Sequence, residues 1–121
     1  MSPNDQGLVG RTLMGIDGQK IGRIKSIYVN SSTGEPEWVA ISLGGLLAEK
    51  LGFAPVAKVT TEGQNAIVEF DKQHVKHAPQ TRSESGVLSP TENDALYRYY
   101  GIERGPKEPV GSRDASRFEG R

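Results

Sequence analysis

The sequence predicts an all-β fold, a small β-barrel, followed by a short C-terminal helix. Three observations carry this reading. Between Gly10 and Pro79, short apolar runs alternate with turn signals. The apolar residues, 35% of a 121-residue chain, thin out after Pro79, which concentrates the core before it. Beyond a polar stretch, Ser89-Pro90-Thr91-Glu92 marks a helix start. The length is that of one domain. Such a domain buries roughly two-thirds of the surface its unfolded chain exposes.

The elements follow in order. Residues 1–7 read as a frayed lead, and Arg11-Thr12-Leu13-Met14 as a short strand. Asp17-Gly18 is a tight-turn dipeptide, because glycine tolerates φ > 0. Lys20 to Val29 is the next strand. Strict alternation would split Ile24 and Ile27 between its faces; a β-bulge near Lys25-Ser26 brings both inward. Asn30 to Pro36 is turn chemistry throughout. Trp38 to Leu43 is a strand with Val39, Ile41 and Leu43 on one face. Trp38, Ala40 and Ser42 take the other, with Trp38 expected to pack over one barrel end. Gly44-Gly45 breaks the strand. Pro55 to Val59 is a short strand, with Pro55 at its start or edge. Glu62-Gly63-Gln64-Asn65 turns into Ala66 to Phe70. Asp71 caps a brief helical turn anchored by Val75, and Pro79 closes the unit.

Residues 80–87 form a polar linker. The helix runs from Pro90 to Tyr100 and stops at Gly101. Leu96, Tyr99 and Tyr100 share a face, and Tyr97 can meet Ile102. A helix this short is marginal alone in water, so it is expected to dock on the barrel or on a second copy. Residues 103–121, rich in Gly, Pro and mixed charge, are expected to be disordered. The plan is therefore a barrel over 8–79, a linker over 80–87, a helical segment over 88–102 and a tail over 103–121.

Composition excludes more than it assigns. The chain carries 15 basic and 15 acidic residues, with 8 of each in 1–79 and 7 of each in 80–121. Neither half is a basic arm, so direct nucleic-acid contact is not expected without a folded basic stripe such as Arg11, Arg23, Lys25 and Lys58. There is no cysteine, which removes thiolate chemistry and Cys-based metal sites. The N-terminal Met1-Ser2-Pro3-Asn4-Asp5-Gln6 lacks signal-peptide character, and no stretch has the length of a membrane helix. A cytoplasmic location is the expectation.

His74 and His77 are the only histidines. With Asp71 they offer at most three ligands on one turn, and surface histidines are the simpler reading. Gly15, Gly18 and Gly22 precede a strand rather than a helix, which suits a hairpin and not a phosphate loop. Asp17, Glu35, Glu37 and Asp71 read as solvated turn residues. No nucleophile elbow occurs. No catalytic residue, cofactor or metal is expected, and the chain reads as non-enzymatic.

Gly10-Arg11 to Leu13, Asp17-Gly18, Lys20-Ile21-Gly22-Arg23-Ile24, Ile27-Tyr28-Val29 and Thr33-Gly34-Glu35-Pro36-Glu37-Trp38-Val39 resemble the first half of a PRC-barrel domain. Phe53-Ala54-Pro55-Val56 and Val75-Lys76-His77-Ala78-Pro79 resemble its second half. The resemblance implies an antiparallel, partly open barrel that serves interaction or assembly. The domain is shared with the photosynthetic reaction centre H subunit and a ribosome maturation factor. Leu88-Ser89-Pro90-Thr91-Glu92 with Leu96-Tyr97-Arg98-Tyr99-Tyr100-Gly101 is similar to a bacterial, especially actinobacterial, subgroup linked to stress. The reading that results is an interaction module, self-associating as a homodimer, with an unidentified protein partner. Its alternatives are a ribosome- or RNA-associated assembly factor and an accessory protein of a membrane-bound photosynthetic-type complex. Its candidate surface is Leu46, Leu47, Leu51 and Phe53 with Leu96, Tyr99 and Tyr100. Whether Leu46 to Phe53 is an exposed patch or a strand–turn–strand entering the core stays open.

Overall fold

The computed structural model describes residues 7–30, 34–44, 50–79, 81–82, 87–102 and 110–112. The strands are β1 (Thr12–Met14), β2 (Lys20–Asn30), β3 (Pro36–Ser42), β4 (Lys50–Pro55), β5 (Val59–Glu62), β6 (Asn65–Val68), β7 (Thr81–Arg82), β8 (Val87–Leu88) and β9 (Val110–Ser112). Two α-helices join them: α1 (Lys72–Lys76) and α2 (Pro90–Tyr100). The strand order is β5-β6-β1-β2-β3-β4-β7, with β9 on β2 and β8 on β9. Among the described residues β5 and β7 each have a neighbour on one side only, so the barrel is partly open.

One pairing departs from an all-antiparallel barrel. The β5–β6 hairpin, turned at Gly63 (φ 61°), lays β6 against the free edge of β1 in parallel, with Leu13 opposite Ala66. The guanidinium of Arg11 pins this junction by donating to the carbonyls of Gly7, Gly63 and Asn65.

β2 is the spine. Its first half pairs with β1, and its register against β3 shifts between Ile24 and Ser26. That irregularity is the bulge the sequence calls for, and Ile24 and Ile27 both enter the same buried cluster. The barrel interior holds Leu13, Ile21, Ile24, Ile27, Val29, Val39, Ile41, Ala54, Val59, Ala66, Val68 and Val75. Small barrels are filled by their own side chains in this way.

Three local expectations change. Pro55 ends β4 instead of starting a strand, and Val56–Lys58 form a 3-10 turn before β5. Proline lacks the N–H a continuing ladder needs. Trp38 does not close a barrel end. It lies with Ala40, Tyr28, Leu51 and Phe53 in a second buried cluster on the opposite face of the same strands, together with Ala78, Leu88, Leu96 and Tyr100. Glu37 is no solvated turn residue but part of β3, half-buried. Residues 103–109 and 113–121 of the expected tail lie outside the described residues, as do Leu46 and Leu47; between the two tail stretches Val110–Ser112 form β9. No described helix is long and apolar enough to cross a membrane.

Candidate interaction surface

The second cluster exists because a helix covers it, and the helix exists because of its ends. The Ser89 hydroxyl accepts from the Glu92 N–H at 3.1 Å, and the Glu92 carboxylate accepts from the Ser89 N–H at 2.8 Å. These reciprocal bonds satisfy two of the free donors at the helix start. Pro90 occupies the first turn, where its missing N–H costs nothing. Gly101 stops the helix in the left-handed region at φ 67°. The buried positions Asn93, Leu96 and Tyr100 recur at three- and four-residue spacing, so one stripe faces the strands.

Polar bonds fix where the stripe sits. The Trp38 indole N–H donates to Asn93 Oδ1 at 2.7 Å, wholly buried. The Tyr97 hydroxyl donates to Glu37 Oε1 at 2.7 Å, and Asn30 Nδ2 donates to Glu37 Oε2 at 3.3 Å. The Tyr99 hydroxyl donates to the His74 carbonyl at 2.6 Å, and the Tyr100 hydroxyl to the Phe53 carbonyl. α2 is thus tied to β3, β4 and α1 at once. Burial, followed by the charge of Glu92, pushes the Tyr28 hydroxyl up to about 12. Burial also raises Tyr97, with the Glu37 bond and charge adding to it, and raises Tyr100. The tyrosines stay protonated and keep donating. Asn93→Ala would leave the Trp38 N–H buried with no acceptor. We expect it to lower unfolding stability by about 1–3 kcal/mol, measured by urea denaturation, with Trp38 fluorescence shifting to the red.

The structure brings together four of the residues singled out from sequence. Leu51, Phe53, Leu96 and Tyr100 meet in the one buried cluster, and Tyr99 packs on its margin. None of the first four offers exposed surface in this chain. His74 also differs from the surface residue expected of it. Its ring stacks on Phe70 at 4.9 Å and 10° and contacts Tyr99 and Tyr100 at 4.7 and 5.6 Å. It is a spacer between α1 and α2, whereas His77 is exposed. Asp71 spends its carboxylate on the His74 N–H at 2.8 Å, capping α1. Among the described residues no three His, Asp or Glu converge as a metal site. Of the possible basic stripe, Arg11 donates to main-chain carbonyls and Lys58 lies 3.9 Å from Glu69.

What stays open to solvent is the rim of the seam. A cleft of about 420 Å³ lies between the C-terminal end of α2 and the barrel, lined by Pro36, Glu37, Pro55, Lys58, Tyr97 and Ile102. Its walls combine apolar surface with one acidic and one basic side chain, a mixture that protein contacts use. Sequence reasoning missed Pro36, Glu37 and Lys58 here. They share a site only because β3 and the 3-10 turn come side by side.

The chain is a partly open barrel of short strands, filled by its own side chains and latched from outside by a helix. The PRC-barrel domain model matches residues 5–75, more than half of the 121 residues, and the chain belongs to the PRC-barrel domain family. The match ends within α1, so α2 lies outside it. A comparison with curated proteins found no match.

Proposed function

We propose that this chain is a non-enzymatic interaction and assembly module. It self-associates as a homodimer and acts as an adaptor in a bacterial, stress-related complex of the cytoplasm. Membership of the PRC-barrel family supports an interaction role. The stress assignment rests on the resemblance of residues 88–101 to that bacterial subgroup. The observation that carries the reading is the seam: an aromatic and apolar rim of Tyr97, Ile102, Pro36 and Pro55 beside a filled barrel. Tyrosine-rich, partly apolar margins are what protein interfaces use.

Sedimentation of the full chain tests the self-association. A dimer is expected, weakened at least about tenfold by Ile102→Glu or Leu46→Glu, since a buried charge at an interface opposes association. A wild type that stays monomeric at high concentration removes self-association. A dimer indifferent to both changes moves the contact away from the seam and the 46–53 segment.

A further inference from the structure

The seam holds a negative charge that the described residues leave without an opposite charge. Glu37 is half-buried, and its carboxylate accepts from neutral donors, the Tyr97 hydroxyl on Oε1 at 2.7 Å and Asn30 Nδ2 on Oε2 at 3.3 Å. Among the described residues no Lys, Arg or His lies within ion-pair distance of it, and Lys58, across the cleft, lies 3.9 Å from Glu69 instead. A carboxylate offers about four lone-pair sites, so each Glu37 oxygen keeps room for a further donor. Drawing such a charge part-way out of water is costly until a cation meets it.

The cleft selects which cation. Its volume of about 420 Å³ falls within the roughly 300–1,000 Å³ of sites that hold whole ligands, and so exceeds what a compact ion fills. Pro36, Pro55 and Ile102 supply apolar walls, against which a long aliphatic stem can lie while its head stays polar. Gly101 also lines the cleft, which therefore reaches the C-terminal end of α2, where the helix dipole favours positive charge. The two oxygens of Glu37 match the planar fork of a guanidinium, which pairs with carboxylates bidentately and is more weakly hydrated than an ammonium. Lys58 marks the opposite wall, its side chain 40% exposed. It repels a bare cation but can donate to the main-chain carbonyls that a peptide brings with its side chain.

We propose that this cleft is the docking site for an arginine side chain of a partner protein. The guanidinium sits on Glu37, the stem lies between Pro36, Pro55 and Ile102, and a flanking main-chain carbonyl accepts from Lys58. This rests on the interaction role proposed above and names what the seam recognises. Three blocked tripeptides test it: acetyl-Ala-Arg-Ala amide and its counterparts with citrulline or lysine at the centre. Each is titrated into the full chain at a concentration where the chain sediments as a monomer, and binding is read from the amide NMR shifts of Ala57, Lys58, Gly101 and Ile102. The arginine peptide should bind at least about tenfold more tightly than the citrulline peptide, which keeps the shape and loses the charge, and more tightly than the lysine peptide. Glu37→Gln, which keeps an acceptor for Asn30, should lower the affinity for the arginine peptide at least about tenfold. An arginine peptide that binds no better than either counterpart overturns the site, and this comparison needs no variant to fold. A folded Glu37→Gln chain that binds as the wild type does also overturns it. Sedimentation of the wild type keeps the two proposals apart. Failed peptides with a dimer at higher concentration remove the arginine site and leave self-association; a monomer at every concentration that binds the arginine peptide removes self-association and leaves the site.

Discussion

Trp38→Ala should lower unfolding stability by about 3–5 kcal/mol, in the range of buried Trp and Phe truncations. The indole is 0% exposed. It meets Tyr97 edge-on at 4.9 Å and Tyr100 at 6.0 Å, and its N–H holds Asn93. Truncation therefore opens a cavity between β3 and α2, removes two aromatic contacts and frees the buried Asn93 carboxamide. The loss falls on the seam first. Amide exchange should quicken across α2 more than across β1, β5 and β6, whose packing lies in the barrel interior. For a domain near this size each kcal/mol corresponds to about 4–8 °C, so the melting temperature should fall by about 12 °C or more. A fall under about 4 °C, or equal loss of protection in β6 and α2, would contradict the placement of Trp38 between sheet and helix.

The barrel was legible because its signals are local. Ile21, Ile24, Ile27 and Val29 cannot all face inward on a regular strand, so their spacing alone announces the shift between Ile24 and Ser26. Ser89 and Glu92 lie three residues apart, and the capping box follows from elementary helix geometry. Asp71 caps α1 for the same reason. The seam was legible only in part. Trp38 and Ala40 beside Val39 and Ile41 make a strand apolar on both faces, the mark of a strand covered twice. Nothing in that run says which segment provides the second cover. The bond from Trp38 to Asn93 spans 55 residues, and that from Tyr97 to Glu37 spans 60. No periodicity reports such a partner. The parallel contact of β1 with β6 was hidden likewise, because it depends on where a distant hairpin lands and not on the pattern of either strand.

The two faces of the β2–β4 ribbon explain why residues expected on a contact surface are core. Leu51 and Phe53 alternate with Gly52 and Ala54 along β4. Their large side chains point away from the crowded interior, which would leave them in water without α2. The helix thus turns an exposed apolar face into a second core. It leaves the half-exposed Tyr97 and Ile102 near its C-terminal end. The contact surface proposed at the margin of α2 would be coupled to the folding of α2 through Glu37 and Asn93. Changes that loosen the seam should weaken partner contacts even where they touch no partner.

Gly22→Ala should be about as damaging as losing a core side chain, although it adds a single methyl group. A Cβ on Gly22 would lie 2.2 Å from the Ser42 carbonyl oxygen and 2.8 Å from Ile41 Cγ2. The first contact is with backbone, so no rotamer change relieves it, and β2 and β3 must part where they cross. Gly22 also sits opposite Leu13 of β1, so moving β2 the other way strains the second ladder. Glycine in a strand commonly marks such a close approach. Overpacking of a filled core costs about 1–3 kcal/mol and more where relaxation is blocked, and we expect a loss of about 3 kcal/mol or more by chemical denaturation. Gly52→Ala supplies the internal comparison. Its added Cβ would meet the Leu43 side chain at 2.9 Å, and Leu43 is only partly buried, so that side chain can turn aside. The loss at Gly52 should be smaller by at least about 1 kcal/mol, because a side-chain tip yields where a carbonyl does not. Equal losses at the two sites would mean that β2 and β3 do not cross as closely as the Gly22 contact requires.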